Sequence, residues 1–235
     1  MSARVGGICA LLAVLAFTIG SVAGSFAQPS AYSWAKNDLS DLGAVTANSA
    51  WLYNQIAANL SAVLIAVVGL VLWRALSPDI VGRIGAAALV ATGISYFFDG
   101  LFRLDCRGID AGCRNASWHA HAHKTESVIS AVLLLGTPFI LALAFRRNAE
   151  WRGAWLPTLL VTPIALVVGI PFSALGSAAA QRATTWTWFV WLAFVGFRLL
   201  RRASQERGGP SPSRSPRAER ARRRAPVDAK RHSAT

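Results

Sequence analysis

The densest chemistry in this chain lies in Trp118-His119-Ala120-His121-Ala122-His123-Lys124-Thr125-Glu126. A helix beginning by His119 puts His119, His123, Glu126 and Ser130 on one polar face, while His121 points elsewhere. A second stripe, Thr92, Ser95 and Asp99, ends one turn before Arg103. Zinc takes imidazole nitrogens and carboxylate oxygens, and three such ligands leave a fourth position for a water whose pKa the metal lowers. Asp99, His119, His123 and Glu126 are therefore the metal-ligand candidates, with zinc as the cofactor they would hold. The alternative keeps the same residues as ion pairs and packing contacts near an interface, where a titratable ring costs little. Histidines that titrate near neutrality would also serve pH sensing or a proton relay.

Two further segments border these residues. In Tyr32-Ser33-Trp34-Ala35-Lys36-Asn37-Asp38-Leu39-Ser40-Asp41-Leu42-Gly43, Asn37 or Asp38 could cap a short helix that Gly43 ends, or Asp38 and Asp41 could lean over the polar cluster. Asn54, Gln55 and Asn59 follow Trp51 and Tyr53; such amides either hydrogen-bond between helices at about 1 kcal/mol each or line a polar cavity. The candidate pocket thus comprises Asp38, Asp41, Asn54, Ser95, Asp99, His119, His123 and Glu126. Cys106 and Cys113 share one short loop, for which a disulfide is the natural reading, worth about 2.5 kcal/mol on the chain-entropy account; two free thiols or an incomplete metal pair are the alternatives. There is no HExxH, Walker A, GxSxG or GxGxxG motif, so metalloprotease, nucleotide and serine-hydrolase chemistry lack their usual supports.

The elements that position these residues are apolar runs at 5–27, 52–73, 84–102, 121–145, 154–175 and 184–200. Each approaches the roughly 20 residues an α-helix needs to cross hydrocarbon, where unpaired backbone polar groups exclude most other forms. The expected fold is all-α, a six-span transmembrane bundle over residues 1–204 with a disordered basic tail at 205–235. The first run has a second reading, as a secretory signal cleaved after Ser25-Phe26-Ala27. Gly20 and Gly24 form a small-xxx-small pair suited to close packing within the bundle or to a dimer contact. Pro163 should kink the fifth span, and Trp186, Trp188 and Trp191 suggest interfacial anchoring of the sixth.

Charge gives the orientation. With six spans, eighteen of the 24 Lys and Arg fall on the side of the termini and six on the other, so both termini should be cytoplasmic, in a cell membrane, with loops 28–51, 103–120 and 176–183 outside. The net charge of +13 sits at span ends and in the tail, and from Arg198 onward twelve Lys/Arg face only Glu206, Glu219 and Asp228. Its expected partners are the bilayer and anionic lipid headgroups; no aromatic platform accompanies it, so nucleic acid is not expected. Oligomeric state is not legible in the residues, nor is a substrate.

The Asn37-to-Gly43 loop, the Trp51-Leu52-Tyr53-Asn54 entry, Phe102-Arg103-Leu104-Asp105-Cys106 with Cys113, and Trp118-His119 through His123 together resemble the prokaryotic membrane family called domain of unknown function 998. The resemblance covers about residues 5–200 and implies a helical bundle in the cell membrane, without an assigned activity. A more distant similarity to the ceramidase and adiponectin-receptor type of membrane hydrolase rests on intramembrane His, Asp and Ser, without the seven spans and ligand order usual there. It implies, as the alternative to a non-enzymatic pocket protein, a metal-dependent hydrolase of a lipid-like substrate.

Overall fold

Three side chains fix where long helices begin. In the computed structural model, which describes residues 1–208, the Ser2 hydroxyl accepts from Val5 N, the Asp79 carboxylate from Val81 N and Gly82 N, and the Ser117 hydroxyl from Ala120 N. Each takes up amide protons that have no intrahelical partner at a helix start. The helices are α1 (Ala3–Phe26), α2 (Ser61–Ala75, continuing a π-helical turn region Leu52–Leu60), α3 (Ile80–Leu101), α4 (Trp118–Arg147), α5 (Trp155–Ser173) and α6 (Ser177–Gly208). A short 3₁₀ turn spans Leu39–Gly43, a second Arg152–Ala154, and no strand occurs among the described residues. Six helices are long and apolar enough to cross a bilayer, and their lipid-facing surface carries exposed Leu12, Val63, Val132, Leu143, Val167 and Val190. The chain is a multi-pass membrane protein, for such a surface would aggregate in water.

The first five helices end within four residues of the expected spans. The sixth does not: it starts at Ser177 and runs to Gly208, past 184–200 at both ends and beyond the expected boundary at 205. Its polar first turns are held by loop contacts described below, and the Arg202–Glu206 pair at i, i+4 supports its far end. The rest of the expected basic tail, 209–235, lies outside the described residues.

The helices form a closed ring in chain order, with α6 returning to pack on α1. At its centre Phe17 stacks on Phe189 at 4.0 Å, with Trp188, Leu141 and Leu192 fully buried nearby. Trp188 and Trp191 are thus core residues rather than interfacial anchors, and the Trp191 indole N–H donates to Thr158 Oγ1 at 3.1 Å. Exposed Trp51 and Trp118 remain for the interface. The ring has two ends: the terminal end carries the start of α1 and the end of α6, and the loop end carries residues 27–51, 102–117 and 174–176.

Gly20 packs against the π-helical region inside the same bundle. A Cβ there would lie 2.4 Å from the Leu52 carbonyl and 2.5 Å from Ala57 N, both backbone atoms that cannot move aside. Gly20→Leu should therefore cost about 1–3 kcal/mol or more through overpacking and lower the thermal midpoint in detergent; an unchanged midpoint would contradict this contact.

Candidate functional site

Asp99, near the end of α3, and His123 and Glu126, one turn apart at the start of α4, meet at the loop end of the ring. Each offers one ligand-type atom, all within 4.8 Å of one another, and their exposures are only 9%, 5% and 5%. Packing of α3 on α4 brings the two helix ends together, and the first loop lies close by, with Leu39 and Ser40 lining one cavity beside Asp99 and Asp38 and Asp41 another beside His123.

Every member is held by one atom. Tyr53 donates from its phenol to Asp99 Oδ2 at 2.9 Å. Ser95 and Ser130 both donate to Glu126 Oε1, Ser95 at 3.1 Å, and the Ser130 hydroxyl also lies 2.9 Å from Ser95 Oγ. His123 Nδ1 is 2.9 Å from the Phe102 carbonyl, which can only accept, so Nδ1 carries a proton there. The other atoms are left free or nearly so. Asp99 Oδ1 lies 3.6 Å from His123 Nδ1, Ser127 Oγ approaches His123 Nε2 only to 3.5 Å, and Glu126 Oε2 is buried without a hydrogen-bond partner among the described residues. Basic side chains nearby are committed elsewhere: Arg103 donates to the Gly43 and Ala44 carbonyls, and Lys124 to the Asn115 carbonyl. Asp99 therefore does not pair with Arg103.

The remaining sequence candidates serve the roof. Asn54 donates to the Gly43 carbonyl at 3.0 Å. Asp41 accepts from Gly108 N at 3.1 Å and from Asn37 Nδ2 at 3.3 Å, tying the first loop to the disulfide loop. Burial pushes the Asp41 carboxyl up, while those hydrogen bonds pull it back. Asp38 is exposed at the rim, and His119 is exposed and lies against the Trp118 ring at a centroid distance of 3.6 Å. Cys106 and Cys113 form a disulfide with Cα atoms 5.8 Å apart. Within that loop, hydrogen bonds from Arg107 and Thr46 hold the Asp110 carboxyl down at about 2.

Residues that the sequence did not single out complete the arrangement. Arg182, 2% exposed, donates from Nη1 to the Asn37 carbonyl at 2.6 Å and from Nη2 to Tyr32 Oη, so α6 carries the cation that anchors the first loop. Gln181 Oε1 accepts from Leu39 N at 3.0 Å. Tyr53, two residues after the exposed Trp51, is 3% exposed and braces Asp99. Only the amides and carboxylates around it hinted that a phenol there had a buried partner.

Two cavities flank the cluster. One of about 370 Å³ lies between α4 and α6; Asp99, Tyr53, Ser127 and Ser130 line its polar side, and Ala131, Leu134, Leu135 and Ala180 its aliphatic side. The other, about 510 Å³, is a polar groove among the loops, bounded by Asp38, Asp41, His123 and Lys124. Both volumes fall in the range of small-molecule sites.

The family model described as protein of unknown function (DUF998) matches residues 10–198. No curated protein and no solved structure matches the chain.

The Tyr53 brace predicts a measurable loss. Tyr53→Phe keeps the ring and removes only the donor to a buried carboxylate, so stability should fall by about 1.5–3 kcal/mol. Thermal unfolding in detergent, compared with Trp118→Phe on the exposed surface, checks this: a midpoint no lower than that of the surface variant would remove Tyr53 from the site.

Proposed function

We propose that this chain, which belongs to the DUF998 family, is a cell-membrane protein with cytoplasmic termini and an external ligand pocket at its loop end. Three-to-one placement of Lys and Arg on the terminal side supports the orientation. The disulfide fits an oxidising compartment on the loop side. Arg201 is exposed at the terminal end beside Arg198 and Arg202, which are engaged by Glu150 and Glu206, and anionic lipid headgroups would meet it there.

The observation that carries the pocket reading is the cavity between α4 and α6. Its floor is polar, with Asp99 and Ser130, and its wall aliphatic, with Leu134 and Leu135 of the α4 span. A lipid-like amphiphile matches both halves: the head exchanges water for hydroxyls and a carboxylate, and the alkyl part buries against the wall at about 25 cal/mol per Å². A second reading, a metal-dependent hydrolase of such an amphiphile, is favoured by the convergence of Asp99, His123 and Glu126 beside that cavity.

Orientation is tested by single cysteines at Ser40→Cys and Arg147→Cys in chains lacking the native thiols. An impermeant maleimide added to intact cells should label the first alone, and labelling of the second alone reverses the topology. For the pocket, a fluorescent undecyl chain bearing a dansyl amide should bind saturably to the protein in lipid nanodiscs. Ala131→Trp fills the cavity and should weaken that binding at least tenfold; equal binding by the two proteins would place the probe elsewhere.

A further inference from the structure

We infer that Asp99, Glu126 and His123 form a divalent-cation site of the zinc class, with its open coordination position toward the cavity between α4 and α6. The hydrogen-bond pattern divides each side chain into a braced atom and a presented one. Tyr53 holds Asp99 Oδ2 and leaves Oδ1. Ser95 and Ser130 hold Glu126 Oε1 and leave Oε2, which is buried and unpartnered among the described residues. The Phe102 carbonyl takes the Nδ1 proton of His123 and leaves the Nε2 lone pair, which only Ser127 Oγ approaches, at 3.5 Å. Metal-ligating histidines are braced in this way, with the second ring nitrogen donating to a carbonyl or carboxylate, and ligating carboxylates are themselves hydrogen-bonded.

Charge points the same way. Two carboxyls with 9% and 5% exposure can stay charged there only beside positive charge and are otherwise neutralised by protons, and Arg103 and Lys124 are bonded elsewhere. A divalent ion neutralises both at once. Ligand chemistry then selects among ions: one imidazole and two carboxylates suit zinc better than magnesium or calcium, which prefer all-oxygen shells. Three protein ligands fill three of zinc's four usual positions, so the fourth is open to water or to an occupant of the cavity. His119, exposed and set against Trp118, is not a ligand. Ser95, Ser130 and Tyr53 are positioning residues.

The site stands apart from the amphiphile reading. Zinc binding without capture of the dansyl probe would leave the ion site and remove the lipid-like ligand; capture without zinc would do the reverse. The test is metal analysis of protein purified from membranes without chelator, then incubated with zinc and desalted. One zinc per chain is expected in the parent and in His119→Ala. Less than a tenth of that is expected in His123→Ala and in Glu126→Gln, the latter nearly isosteric and therefore the safer variant for folding. Cobalt loaded in place of zinc should give the visible absorption of a four-coordinate ion in the parent, a readout that needs no variant. A parent that retains no zinc and gives no cobalt spectrum overturns the site. So does equal metal in the parent and in folded Glu126→Gln.

Discussion

Hydrocarbon offers no hydrogen-bonding partner, so each polar side chain on a spanning helix must bond back to its own helix or across to a neighbour. Many here do the first: Ser21 donates to the Phe17 carbonyl and Thr187 to the Ala183 carbonyl. Those that cross follow the ring. Tyr53 to Asp99 joins the π-helical start of the second span to α3, Ser95 to Glu126 and Thr92 with Thr137 join α3 to α4, Thr162 to the Leu135 carbonyl joins α5 to α4, and Trp191 to Thr158 joins α6 to α5. Those between neutral groups contribute about 1 kcal/mol each in membranes, but all of them set which helices are neighbours. The α1 helix closes the ring differently, by aromatic stacking of Phe17 and by glycines that let backbones approach.

One consequence is the uneven distribution of polarity. Toward the terminal end the interior is aliphatic and aromatic, with Val68, Leu72, Leu89 and Phe145 fully or almost fully buried. Toward the loop end the same interior holds two carboxylates and an imidazole. The α2 span begins there as a π-helix, a form that occurs often at functional sites, and Gly100 leaves room for its Asn54 and Asn59 against α3, where a Cβ would lie 2.5 Å from the Asn54 carbonyl.

The loops above are not a passive cover. Arg182 on α6, Asp41 in the 3₁₀ turn and Arg103 after α3 each bond the backbone of a loop remote in sequence, and Asn37 links the first two. Asp105 takes the amides of Ala116 and Ser117, and so fixes where α4 starts and which way His123 and Glu126 face. Hydrogen bonding from Ser117 holds the Asp105 carboxyl below its ordinary range, so the charged form that accepts these amides is the favoured one. The disulfide closes the same loop a few residues away. Positioning of the cluster thus depends on polar loop contacts as much as on helix packing.

Hydropathy by itself determined the six helices, because a span needs a fixed length of apolar residues whatever its neighbours are. Helical spacing also placed Ser95 with Asp99, and His123 with Glu126 and Ser130, on single faces, and proximity in a short loop paired Cys106 with Cys113. The tertiary structure decided the rest. Spacing cannot say how far a polar face turns inward, so His119 shares the stripe of His123 yet lies exposed, while Asp41 and Asn54 bond loop backbone instead of joining the carboxylates. Nor does a tryptophan cluster reveal its direction: Trp188 and Trp191 face the core because α6 packs between α1 and α5. Arg182 and Tyr53 acquire their roles from partners about 145 and 46 positions away, a separation only the closed ring removes. Periodicity is a property of one helix, whereas a site is a property of how helices face one another.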